Sequence, residues 1–363
     1  ILLPLEHHHF EYKAIMGAYI IKRLLLIIPT LLIILLINFA VVQIAPGGPV
    51  EQAIQQAEGF QQNAGYGSES HYWGAKGLSP AMIEQIEAQY GFDQPAYVRF
   101  WKMLKAYAQL DFGHSYFKDK AVTELLWEKM PVTLSLGIWS TLLIYVIAIP
   151  LGIKKARQHG LLFDRISSFF LALGFAVPAF VMGIVLIVFF AGGSYFQWFP
   201  LQSLVSENFN ELSMFGKIKD YAWHMALPLL TLLLGGLASL TYLTKYSFKE
   251  QLNQPYVLSA FAKGLNPQQV LYGHVFRNAI LVIVAGLPEV LVGMFLTGNL
   301  LIEIIFNLDG VGLLGFEAIQ QRDYPVIFGT LFIFTLVGLI LRLISDVLYQ
   351  IIDPRINFAT RGM

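Results

Sequence analysis

The sequence predicts an all-α polytopic membrane protein with six transmembrane helices, and three observations predict it. Of 363 residues, 56% are hydrophobic and only 13% charged, too apolar a balance for a soluble chain of this size to cover its own surface. Six stretches are each long and apolar enough to cross a bilayer core of about 30 Å, which takes about 20 helical residues. Alternation of period two, the mark of a membrane barrel, is absent, and in lipid every backbone amide must then be satisfied inside a helix.

The six stretches are Leu24 to Ile44, Val132 to Ile153, Ile166 to Ala191, His224 to Leu243, Ala279 to Ile302 and Val326 to Ile351. Lys22 and Arg23 precede the first; Lys154, Lys155, Arg157 and Arg165 follow the second; Lys245, Lys249, Lys263 and Arg277 follow the fourth; Arg355 and Arg361 follow the sixth. Alternating helices put all of these on one side, so the positive-inside rule predicts two cytoplasmic termini. Residues 1–15, with His7, His8 and His9, read as a leader ahead of the pattern that begins at Met16. A metal-binding reading of the three histidines is the alternative.

Residues 46–131 read as an aqueous insertion on the opposite, extracytoplasmic side. It opens with A-P-G-G-P and passes through a flexible region from Gly59 to Gly77. A helix follows, bracketed by Ser79, Pro80 and Gly91 with Met82, Ile83 and Ile86 on one face, then a second from Pro95 to Leu110. The second mixes Phe100, Trp101, Leu104 and Tyr107 with Arg99, Lys102 and Lys105; packing against its neighbours explains that stripe, with a seat at the membrane interface as the alternative. From residue 132 to 363 the chain reads as a transmembrane core with a loop at 245–277.

Basic and acidic residues balance at 24 each, so no whole-molecule attraction to nucleic acid exists. With no Cys, disulfides and thiolate metal sites are excluded. No G-x-x-x-x-G-K-[ST], H-E-x-x-H or G-x-S-x-G occurs, so the chain offers no Walker loop, zincin site or nucleophile elbow, and no catalytic or metal-ligating residue is assigned. Any ATP consumed must be bound by a partner.

The most informative segment is Tyr256 to Pro267. Pro255 suits a first helical position, Val257, Leu258 and Phe261 make a small apolar face, and Gly264 suits the left-handed conformation that stops a helix. Asn266 and Pro267 read as the cap and first residue of the next helix. So short a helix needs packing to persist. Either another protein covers the face, or it folds back on its own spans.

This segment resembles the coupling loop of binding-protein-dependent ABC importer permeases, whose pattern E-A-A-x-x-x-G stands here as L-S-A-F-A-K-G, Leu258 to Gly264. Leu258 replaces the pattern's Glu, which removes any role for that carboxylate. Further matches cover the chain from Met16: M-G-A-Y-I-I-K-R-L-L-L-I-I-P-T-L at the start, V-V-Q-I-A-P-G-G-P-V from Val41, Y-G-F-D-Q-P from Tyr90, D-F-G-H-S from Asp111, F-A-G-G-S-Y-F from Phe190, R-D-Y-P-V from Arg322 and D-P-R-I from Asp353. Together they resemble the B-type permeases of dipeptide and oligopeptide importers. The resemblance implies a type I importer permease fold in a bacterial inner membrane and an importer of oligopeptides, microcin C-like peptides included. It implies a second homologous permease, cytoplasmic ATP-binding subunits that hold the ATP and Mg, and a periplasmic binding protein. Tyr256, Val257, Leu258, Ala260, Phe261, Lys263 and Gly264 would be the contact with the ATPase, transmitting force and doing no bond chemistry.

Polar residues in spans are costly and tend to face an interior path. Glu289, after Pro288 in the fifth span, reads as a translocation-path residue, with bonding to a partner permease as the alternative. Arg342 and Asp346, one turn apart, are spaced to pair. Asn38, Gln43, Pro178 and Pro228 read as packing and bending residues. The family resemblance further places Glu317, Arg322 and Asp323 by the outer gate, near the binding-protein dock; from the residues alone this is a solvated loop. An ion-coupled secondary transporter is the competing class, but it calls for coupling carboxylates in broken helices and an internal repeat, and only Glu289 approaches that.

Overall fold

The structure, a computed structural model, describes residues 3–44, 93–193, 195–296 and 300–352. Among the described residues the regular elements are helices, apart from an isolated bridge between His114 and Ala121. Among the described residues, five helices are long and apolar enough to cross a membrane, or up to 6 if one bent pair is a single span. The expected loop at 59–77, the helix from Pro80 and the terminal D-P-R-I lie outside the described residues.

Helix α1 (Leu3–Ile44) is already helical through most of the expected leader, and Tyr19–Ile44 is its membrane-length part. Next come α2 (Ala96–Tyr107) and α3 (Val122–Arg157). The expected third span is two helices, α4 (Leu162–Ala176) and α5 (Ala179–Phe190), bent by 97°. The cause is Pro178, which drives the residue before it out of the helical region. Val177 accordingly sits at φ −88°, ψ 122°.

Helix α6 (Met214–Leu252) starts on a true cap, the Ser213 side chain accepting from the Gly216 amide, and runs through Pro228. The short helices α7 (Pro255–Ala262) and α8 (Pro267–Val270) follow, then a π-helical turn, Leu271–Val275, which leads into α9 (Phe276–Leu296). The expected fifth span is thus shorter, and Ile302 belongs to a separate helix, α10 (Leu300–Ile305). Helices α11 (Val311–Gln321) and α12 (Tyr324–Ile352) complete the order.

The chain divides into two compact units. The unit of residues 20–129 and 314–336 is held by aromatic packing: Tyr107 meets Phe112 edge-on at 4.9 Å and Phe332 at 5.4 Å, and Phe39 lies 5.1 Å from Phe100. Helix α2 stops short of the expected Leu110, which takes φ 59°. Phe100 of α2 turns inward while Tyr97 and Trp101 stay exposed.

The other unit comprises residues 1–19, 130–313 and 337–363. One core joins Leu136, Leu186, Met225, Leu227, Ile302 and Phe306. Near the Arg157 end of α3 a charged cluster is buried instead. The Lys155 ammonium is fully enclosed and donates to the Asp164 carbonyl at 2.9 Å, Ser167 at 2.7 Å and Ser168 at 2.8 Å. Asp164 also receives Lys245 on both carboxylate oxygens, at 2.8 and 2.9 Å, and the Gly160 amide at 3.0 Å. One carboxylate therefore ties α3, α4 and α6 together. Elsewhere in this unit, Asp346 accepts from the Tyr19 hydroxyl at 2.9 Å, a partner that the spacing with Arg342 did not suggest.

Removing one member of a buried ionic cluster leaves the others uncompensated, at a cost of about 3–5 kcal/mol. Asp164→Ala should therefore lower the thermal unfolding midpoint in detergent far more than Glu250→Ala at an exposed position of α6. Equal midpoints for the two variants would show that the cluster contributes no stability.

Candidate functional site

Two turns bracket the short helix α7. Gln254 precedes it in extended conformation and Pro255 supplies its first position. At its end Lys263 caps the helix, Gly264 takes φ +83° and the Leu265 amide reaches back to Ala260 at 3.4 Å. A side chain at this left-handed position is disfavoured by its Cβ. The next helix opens with a complete capping box, Asn266 accepting from the Gln269 amide at 2.8 Å and the Gln269 side chain accepting from the Asn266 amide at 3.0 Å.

An eight-residue helix has little stability of its own. Val257 and Ala260 are buried, in a core with Ile153, Phe248, Val270, Val275 and Ile283. Tyr256 packs partly on the same core and its hydroxyl donates to Gln251 at 3.0 Å. Leu258 is 72% and Phe261 44% exposed. This corrects the expectation of one apolar face: Val257 points inward, and Leu258 and Phe261, three residues apart, form a separate outward face. Lys263 is exposed beside them.

In the aromatic unit, D-F-G-H-S and R-D-Y-P meet. Asp323 is buried, accepting from the Ser115 hydroxyl and from the Tyr116 amide at 3.2 Å. Burial raises its carboxyl above the ordinary range, against the pull of those donors. Glu317 pairs with Lys118 at 2.7 Å while still partly exposed. Arg322 is half-buried at φ 55°. Of the three residues expected near a dock, Asp323 therefore points into the protein and bonds to its own chain. Glu289 lies on α9, and its side chain is outside the described residues.

Sequence reasoning missed Glu303. It is fully buried, receiving the Thr133 hydroxyl at 2.8 Å and the Leu313 amide at 2.8 Å, while Thr133 in turn accepts from the Val311 amide at 2.9 Å. A Cβ at Gly310 would stand only 2.4 Å from this carboxylate, so the turn wraps it because that position is glycine. The signal available was D-G-V-G, Asp309 to Gly312, just beyond a lone Glu.

Burial raises the Glu303 carboxyl, and the bonds from Leu313 and Thr133 offset this only in part. Because the fold favours the proton, the group's contribution to stability is complete below its unfolded pKa and is lost as pH rises through the raised folded value. The melting temperature between about pH 4 and pH 8 should therefore fall more steeply in the native protein than in Glu303→Gln, which cannot titrate. Parallel curves would contradict this.

Residues 148–358 match the family described as "Binding-protein-dependent transport system inner membrane component". The inner membrane ABC transporter permease protein YejB of Escherichia coli O157:H7 is 51% identical over 364 residues, covering 95% of this chain and 100% of the relative. The peptidoglycan transport system permease protein YejB of Agrobacterium fabrum is 50% identical, covering 96% and 100%. The oligopeptide transport system permease protein AppB of Bacillus subtilis is 33% identical, covering 94% and 100%.

Proposed function

We infer the work of this chain from the family it belongs to, the inner membrane components of binding-protein-dependent transport systems: it is a permease subunit of a peptide ABC importer. It forms half of the translocation path beside a second, related permease. ATP and Mg are bound by ATPase subunits on the cytoplasmic side, where both termini also lie. A periplasmic binding protein delivers the peptide, oligopeptides being the class named in relatives such as AppB.

The observation that carries this reading is the division of α7 into two faces. Val257 and Ala260 anchor the helix in the core of the spans, and Leu258 and Phe261 stand out in the open. An apolar face exposed on an anchored helix is suited to a partner's groove. A push on it passes through Val257 into α3, α6 and α9, because the core around Val257 contains Ile153, Phe248 and Ile283. The Lys and Arg residues that follow the second and fourth spans support a cytoplasmic setting for this helix. Of the residues expected near the binding-protein dock, Glu317, which pairs with Lys118, and Arg322 keep that proposed role, while Asp323 is taken up by Ser115 and Tyr116.

In the assembled importer, Leu258→Ser with Phe261→Ser should cut peptide-stimulated ATP hydrolysis about tenfold, equivalent to about 1.4 kcal/mol of contact energy, while leaving the unfolding midpoint near its native value. Undiminished stimulation would remove this face from the coupling path. As a path residue, Glu289→Gln should slow uptake of cationic peptides more than neutral ones in proteoliposomes, and an equal effect on both would make it structural.

A further inference from the structure

A cavity of about 540 Å³ opens between the end of α3 and the π-helical turn. Its floor is Ile149, Pro150, Ile153 and Phe276; its rim carries Lys154, Arg157 and Gln158, with Tyr272. Ile149 and Arg157 lie eight positions apart on the helix, a rise of about 12 Å. The floor thus lies within the membrane-length part of α3 and the rim at its basic end.

The charges at this rim differ from those behind it. Lys155 and Lys245 are compensated by Asp164. Lys154 and Arg157 are exposed, and among the described residues neither has a carboxylate partner; the Lys154 ammonium stands 4.1 Å from the centre of the Phe163 ring. Tyr272 is 60% exposed, an amphipathic ring at the level of the basic residues, as at a membrane–water boundary.

We propose that this cavity is a binding site for an anionic phospholipid, the phosphate held by Lys154 and Arg157 and the first acyl carbons lying on Ile149, Pro150 and Phe276. Two cations above an apolar floor at bilayer depth match that molecule in both charge and shape. A free phosphate would leave the floor unused, and a soluble protein does not reach hydrocarbon depth. Ile153 and Phe276 also pack in or against the core that anchors Val257, so a bound lipid would brace that core from the bilayer side. The site requires only that the chain spans a membrane, independently of any role for Leu258 and Phe261.

The test uses the intact complex, stripped of lipid in detergent and titrated with dioleoyl phosphatidylglycerol or dioleoyl phosphatidylcholine, with bound lipid counted by native mass spectrometry. The native protein should retain phosphatidylglycerol over phosphatidylcholine. Lys154→Gln with Arg157→Gln should weaken that retention at least about tenfold, and Arg277→Gln, exposed and outside the cavity, should not. Equal binding of the two lipids, or unchanged phosphatidylglycerol binding in the double variant, would overturn the site. So would loss of the ATPase subunits from the double variant with lipid retention intact, which would assign the rim to that partner.

Discussion

A helix of eight residues does not persist in water by itself, so Pro255–Ala262 stands only because its surroundings hold it. Burial of Val257 and Ala260 in a core drawn from α3, α6 and α9 supplies the anchor. The turns at Gln254 and Gly264 set its ends, and the capping box at Asn266 starts the next element at once. Anchoring by one face is what frees the other. Without the buried pair, Leu258 and Phe261 would be two apolar side chains on a mobile loop, unable to pass a displacement to the spans.

Buried polar groups do related work elsewhere, each by satisfying several partners at once. Asp164 gathers two ammonium groups and a backbone amide, so the ends of three helices are tied to one carboxylate. Glu303 accepts from a threonine of α3, 170 residues away in the chain, and from the first turn of α11. Asp323 fastens the D-F-G-H-S segment to the start of α12. In a protein with so few charges these carboxylates serve as joints. Their burial is tolerated because donors surround them.

Much of the fold was legible because the hydrophobic runs are long, and both the left-handed Gly264 and the Asn266 cap follow from local chemistry. What misled was geometry beyond one helix. Pro178 reads as a bend in a continuous apolar run, yet it separates two helices at 97°. Val257, Leu258 and Phe261 all read as one face, since the side that meets the core depends on where α3 and α6 lie. Glu303 was hidden because a carboxylate one residue past an apolar stretch looks like the polar end of a span. Lys155 and Lys245 registered as markers of membrane side, although their common partner Asp164 is 81 residues from Lys245 in the chain.

The inward half of α7 is held by its own spans, and its outward half is the one proposed to meet another protein. The most direct measurement places a photoreactive side chain in turn at Val257, Leu258, Ala260 and Phe261 of the complex in native membranes and identifies each adduct by mass spectrometry. Adducts within the chain are expected from 257 and 260, and adducts with an ATP-binding subunit from 258 and 261. Adducts from 258 and 261 confined to lipid or to the chain itself would contradict that assignment.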